Sequence, residues 1–200
     1  MVRMLKTSEL VKFLITVGLM LIHLPLSGCK GGGYDAVRAD ALRAELRKAG
    51  VDISESWFEK EGMLIAEHSE ITDEMLCELI SMKEPGKLTG VYLGSTNLSD
   101  KGLQCIGNVR DHQPISRIMI SNTFVTSKGL RSIEGMATLR WLDLSGCTRV
   151  DTKKIGDLLA TLPNLENFLY FEIKVPREVL QKQWERDVRL SPPFTEPGSH

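Results

Sequence analysis

The stretch Leu88-Thr-Gly-Val91-Tyr-Leu93-Gly-Ser-Thr96-Asn-Leu98 decides how this chain folds. Its apolar residues stand at the first, fourth, sixth and eleventh places, and a small polar residue stands at the ninth. Alternation at places four to six marks a short strand with one buried face. Ile115, Ile118, Ile120, Thr123 and Val125 write the pattern again. Leu139, Leu142, Leu144 and Cys147 write it a third time, with Val150 one place late. Leu165, Phe168, Tyr170, Ile173 and Val175 write it a fourth, and the four starts lie 27, 24 and 26 residues apart. A second landmark follows each copy by five residues: Leu103, Leu130, Ile155 and Leu180. Upstream, Leu64, Ala66 and Ser69 fit the strand places, and Ile71 and Leu76 repeat the five-residue offset, so five units are expected.

The rest of each unit follows from local chemistry. The ninth residue enters the interior at a turn, where its polar atom can bond loop backbone. Thr72-Asp73, Ser99-Asp100, Thr126-Ser127 and Asp151-Thr152 each supply an oxygen able to cap a helix start. Paired acids such as Asp73-Glu74 suit the positive end of a helix dipole. Leu103 with Ile106, Leu130 with Ile133, and Ile155 with Leu158 put an apolar stripe on one helix face. A unit buries one side only and needs its neighbours. The pattern resembles the leucine-rich repeat, L-x-x-L-x-L-x-x-N/C-x-L, in its longer cysteine-containing and ribonuclease-inhibitor-like classes. That resemblance spans about residues 60–185. It implies an α/β fold, a short solenoid with a parallel inner sheet and outer helices.

Working outward, residues 34–58 read as an N-terminal helical cap. Ala36, Val37, Ala41, Leu42, Ala44 and Leu46 form its apolar side, Gly50 ends the helix, and Val51, Ile53, Trp57 and Phe58 lead into the first unit. Residues 59–188 hold the repeats and a capping helix that starts at Pro176, with Trp184 covering the last unit. Residues 189–200 read as a disordered tail.

The N-terminus has a different character. Arg3, Lys6 and Lys12 precede an uncharged apolar run of about a dozen residues, short of the roughly 20 that a spanning helix needs. Leu26-Ser27-Gly28-Cys29 follows. These residues resemble the signal and lipobox of bacterial lipoproteins. The resemblance implies cleavage after residue 28, a diacylglycerol on Cys29, a flexible tether over 29–33, and a membrane-anchored place in a bacterial cell envelope.

The whole chain carries 25 basic and 26 acidic side chains, with 42% hydrophobic residues. Without residues 1–28 the balance is 22 to 25. No basic excess points to nucleic acid. His23, His68, His112 and His200 show no metal-ligand spacing, and no nucleophile elbow, phosphate loop or zinc-protease motif is present. The expectation is a protein without enzymatic activity, cofactor or metal. Of the cysteines left after Cys29, Cys147 takes a repeat-interior place and is expected to be a buried thiol. Cys77 and Cys105 fall on neighbouring helices with nothing to fix their direction, so free thiols are the reading favoured over a bridge.

Function is therefore expected on the concave sheet face, at the third, fifth and seventh places of each unit. Arg117, Trp141 and Asn167 share one row, and Tyr92, Met119, Asp143 and Leu169 the next. Aromatic, Met and Arg side chains are the types enriched in protein interfaces. The reading is a module that binds an unidentified protein or peptide; the alternative is a structural envelope component with no discrete ligand.

Overall fold

The computed structural model describes residues 36–51, 62–81 and 88–192. The leader, Cys29, the tether, Ile53, Trp57 and Phe58 lie outside the described residues. Within them the chain alternates strand and helix: α1 (Ala36–Lys48), β1 (Met63–Ile65), α2 (Asp73–Ser81), β2 (Gly90–Tyr92), α3 (Asp100–Asn108), β3 (Arg117–Met119), α4 (Ser127–Leu130, extended by a 3-10 turn Arg131–Ile133), β4 (Trp141–Asp143), α5 (Thr152–Ala160), β5 (Asn167–Leu169), α6 (Arg177–Trp184) and β6 (Arg189–Ser191). All six strands are parallel and lie in sequence order. A strand-helix alternation with no reversal gives this α/β sheet.

Register follows the repeat. The middle residues Leu64, Val91, Ile118, Leu142, Phe168 and Leu190 align across the sheet, and all are buried. Behind them lie Leu76, Leu103, Ile106, Leu130, Ile133, Ile155 and Leu158 from the helices, also buried. Burying each such side chain contributes about 1.5–3 kcal/mol, so the row of middle residues is the backbone of the core.

The turns after β1, β2 and β3 are built alike. Ser69, Thr96 and Thr123 donate their hydroxyls to the carbonyls of Ala66, Leu93 and Ile120, at 2.6, 2.7 and 2.8 Å. Cys147 sends its thiol one unit back, to the Ile120 carbonyl at 3.0 Å. The residue before each of these takes a left-handed backbone: His68, Ser95, Asn122, Gly146 and, in the last turn, Glu172, with φ between 53° and 67°. At Gly146 a side chain would also run into the Asn122 carboxamide.

Helix starts carry a second device. Ser99, Thr126 and Asp151 cap their own helices by accepting from Lys101, Lys128 and Lys153 backbone N–H. The next residue reaches sideways. Asp73 accepts from the Ser99 N–H at 3.0 Å and from its hydroxyl. Asp100 accepts from the Thr126 N–H and hydroxyl, both at 2.7 Å. Ser127 continues the ladder, accepting from the Asp151 N–H at 2.7 Å. A methyl group on Gly102 or Gly129 would strike the Asp73 or Asp100 carboxylate, which is why glycine stands there. The acids placed at helix dipoles from sequence thus serve chiefly to join units.

Several expectations are corrected. Cys77 and Cys105 form a disulfide, with Cα atoms 5.3 Å apart. Their offsets from Leu76 and Leu103 differ by one residue, and the two cysteines meet across the neighbouring helices α2 and α3. The stretch beginning at 189 is not tail from its first residue, because 189–191 add a sixth strand and Tyr170 donates its hydroxyl to the Pro192 carbonyl. Residues 193–200 lie outside the described residues. Trp184 does not cover the last unit: its side chain is 48% exposed, and Leu180 and Gln183 face inward instead. In α1, Leu42 and Leu46 are buried but Ala41 and Ala44 face solvent. That helix meets the first unit through Leu42, Leu46, Ala49 and Val51, and Arg38 pairs with Glu78. Gly50 ends it at φ 80°, as the sequence indicates.

Candidate functional site

Strand residues flanking the buried middle row point to the opposite face, away from the helices. Register sets them in two lines. The first runs Met63, Gly90, Arg117, Trp141, Asn167, Arg189, and the second Ile65, Tyr92, Met119, Asp143, Leu169, Ser191. The neighbours Arg117–Trp141 and Met119–Asp143 therefore fall where the repeat phase puts them.

Exposure divides the named residues. Arg117 is exposed, while Tyr92, Met119, Trp141 and Leu169 are half-buried. Asp143 and Asn167, expected to face a partner, are each only 7% exposed. Asp143 turns back on its own turn, its Oδ1 accepting from the Ser145 N–H at 2.8 Å. Asn167 sits between Trp141 and Arg189 in the line, and those two larger side chains flank it. A small side chain between two large ones is screened from water, which residue type alone does not reveal.

Arg117 organises its surroundings. Its guanidinium carbon lies 5.8 Å from the centre of the Trp141 ring, within cation–π range. Its Nη1 stands 3.5 Å from the Tyr92 hydroxyl and 3.9 Å from the Met63 sulfur. Strand pairing brings all four side chains together from β1 to β4. Among the described residues, two buried polar atoms are left over on adjacent strands: Trp141 Nε1 and Asn167 Oδ1 are screened from solvent and have no hydrogen-bond partner. Sequence reasoning missed this pair, because it depends on side-chain rotation and not on spacing. At the rim, Phe171 and Phe124 are 48% and 44% exposed, the latter under Arg149.

Cys147 is fully buried, and burial pushes its thiol above the ordinary value. Burial raises the Tyr170 hydroxyl as well.

Among solved structures, the chain is similar to one described as leiomodin-1 actin-binding site 2, with TM-score 0.54 and 20% identity over 64% of this chain and 82% of that one. A second is described as a tropomodulin C-terminal domain from Caenorhabditis elegans, with TM-score 0.49 and 12% identity over 74% and 93%. The first likeness is one of fold, and it agrees with a leucine-rich-repeat-like α/β chain. No protein-family model and no curated protein sequence matches the chain.

Proposed function

We propose that this chain is a lipid-anchored binding module of a bacterial cell envelope, recognising a protein or peptide on the open face of its sheet. The observation that carries the reading is the cluster of Arg117, Trp141, Tyr92 and Met63, with Met119 and Leu169 beside it, on one face of a short parallel sheet. An aromatic ring flanked by a guanidinium and thioethers offers large contact area with little side-chain entropy to lose. The leiomodin-1 structure of similar fold is, by its description, an actin-binding site; here that supports protein binding by analogy of fold. Anchoring rests on Leu26-Ser27-Gly28-Cys29, and the Cys77–Cys105 bridge supports an oxidising compartment. The reading assigns no catalytic residue.

The test is capture of a partner from envelope extracts, followed by affinity measurement with variants. Trp141→Ala is expected to weaken binding by about 2 kcal/mol or more, and Lys128→Glu, on the helical side, to leave it unchanged. Equal affinity for wild type, Trp141→Ala and Arg117→Ala would refute the site.

A further inference from the structure

The first line of the open face has an uneven chemistry. Arg117 and Arg189 stand at two ends of the run Arg117, Trp141, Asn167, Arg189. Both are exposed. Among the described residues, no carboxylate pairs with either. The two lines contain one acid, Asp143, which is buried and bonded to the Ser145 N–H. Between the arginines, Trp141 Nε1 is a donor without an acceptor and Asn167 Oδ1 an acceptor without a donor. Buried polar groups are ordinarily bonded, so these two atoms, on residues paired across β4 and β5, mark a place where a second molecule can complete the bonding.

The two atoms select their ligand. A carboxylate could accept from the indole but has nothing to give Asn167. An ammonium could donate to Asn167 but cannot accept from the indole. A primary carboxamide does both, because its C=O and NH₂ lie side by side on one planar edge. The charges on either side select carboxylates. Spacing agrees as well. Adjacent strands lie about 4.8 Å apart, so each arginine stands about 7 Å from the midpoint between Trp141 and Asn167. Same-side residues of an extended peptide recur at about 6.7 Å.

We infer that the open face takes an extended acidic segment of the form acid-x-Asn/Gln-x-acid, laid across β3 to β6. Its carboxamide bonds the Trp141 indole and the Asn167 amide, and its two acids pair with Arg117 and Arg189. Arg117 is exposed and its guanidinium lies 5.8 Å from the centre of the Trp141 ring, so a carboxylate that pairs with it is brought to the indole. The inference rests on the open-face reading above and adds the chemistry of the partner.

Proton–nitrogen NMR of the full chain reads the site directly, the Trp141 indole signal being identified by its loss in Trp141→Phe. Three probes suffice: acetyl-Glu-Ala-Gln-Ala-Glu-N-methylamide, the same peptide with Lys for Glu, and the same peptide with Met for Gln. The first is expected to shift the indole signal saturably. Its affinity should fall about tenfold in Arg117→Gln and again in Arg189→Gln, both exposed sites that leave the core untouched. Asn167→Leu should reduce the Gln peptide to the level of the Met peptide. If the Lys or Met peptide moves the indole as strongly as the first, the acidic carboxamide chemistry is wrong while the open face survives as a binding surface. If no peptide moves it, the inference is overturned, and partner capture with Trp141→Ala separately decides the broader reading.

Discussion

Cys147 shows how one residue ties the turn to the pH response of the fold. Its thiol donates to the Ile120 carbonyl of the preceding unit and lies 3.6 Å from the Thr123 hydroxyl, fully buried. Ionising it would place a charge out of reach of water, so its folded pKa lies above the unfolded one. The sign follows from linkage. Its contribution is fully present below the unfolded thiol value and is lost as pH rises through the folded one. Tyr170, also raised by burial, adds a loss of the same sign at higher pH. Urea midpoints measured from neutral pH upward should therefore fall more steeply for the wild type than for Cys147→Ala. Parallel slopes would remove the thiol from the account. The interior place of Cys147 was legible because the ninth place of the repeat is defined by its neighbours. The burial of Asp143 and Asn167 was not, because it depends on the size and rotation of side chains on adjoining strands.

Between elements, the carboxylate ladder is the feature that repeat arithmetic hides. Asp100 holds two groups of Thr126 and sits over Gly129. Asp100→Ala leaves the Thr126 N–H without its acceptor and should destabilise the chain by about 1.5–3 kcal/mol. Asp157→Ala, an exposed acid on α5, should cost under about 0.5 kcal/mol. Comparable losses in chemical denaturation would deny the ladder its role. The order of strands and helices was legible through the fourth copy, since two landmarks five residues apart recur together, though not the shortening of α4 to one turn continued by a 3-10 turn. The sixth strand was not. Arg189-Leu190-Ser191 carries one apolar residue and runs into Pro192-Pro193, so nothing local separates it from a tail. It exists because β5 offers an edge with a buried row to extend. The disulfide was missed for a similar reason: its cysteines stand 28 residues apart in a 27-residue repeat, so they hold different places in their units and the spacing alone does not turn them toward each other.

At the scale of the whole molecule, the proposed anchor and the order of the stack can each be measured. Cys29→Ser should abolish lipid attachment and leave a longer or released protein, read by mass spectrometry of the N-terminus. A mature wild-type chain that still begins at Met1 with an unmodified Cys29 would end the lipoprotein reading. The stack itself is held unevenly. Its lateral ladder runs from Asp73 to Ser99, from Asp100 to Thr126 and from Ser127 to Asp151, and the corresponding residue before α6 is Pro176. Proline has no N–H to give, so the ladder stops there. The last helix is held instead by Arg186, which donates to the Leu159 and Leu162 carbonyls, and by Val179 against Gly156. Opening should accordingly have a direction. Amide hydrogens of α6 should exchange with solvent deuterium sooner than those of α3, which carries rungs on both sides and the Cys77–Cys105 tie. Pro176→Ser, which restores an N–H and a hydroxyl, should slow the exchange of α6 without altering α3. The molecule would then peel from its C-terminal end like a zipper whose final tooth was never cut.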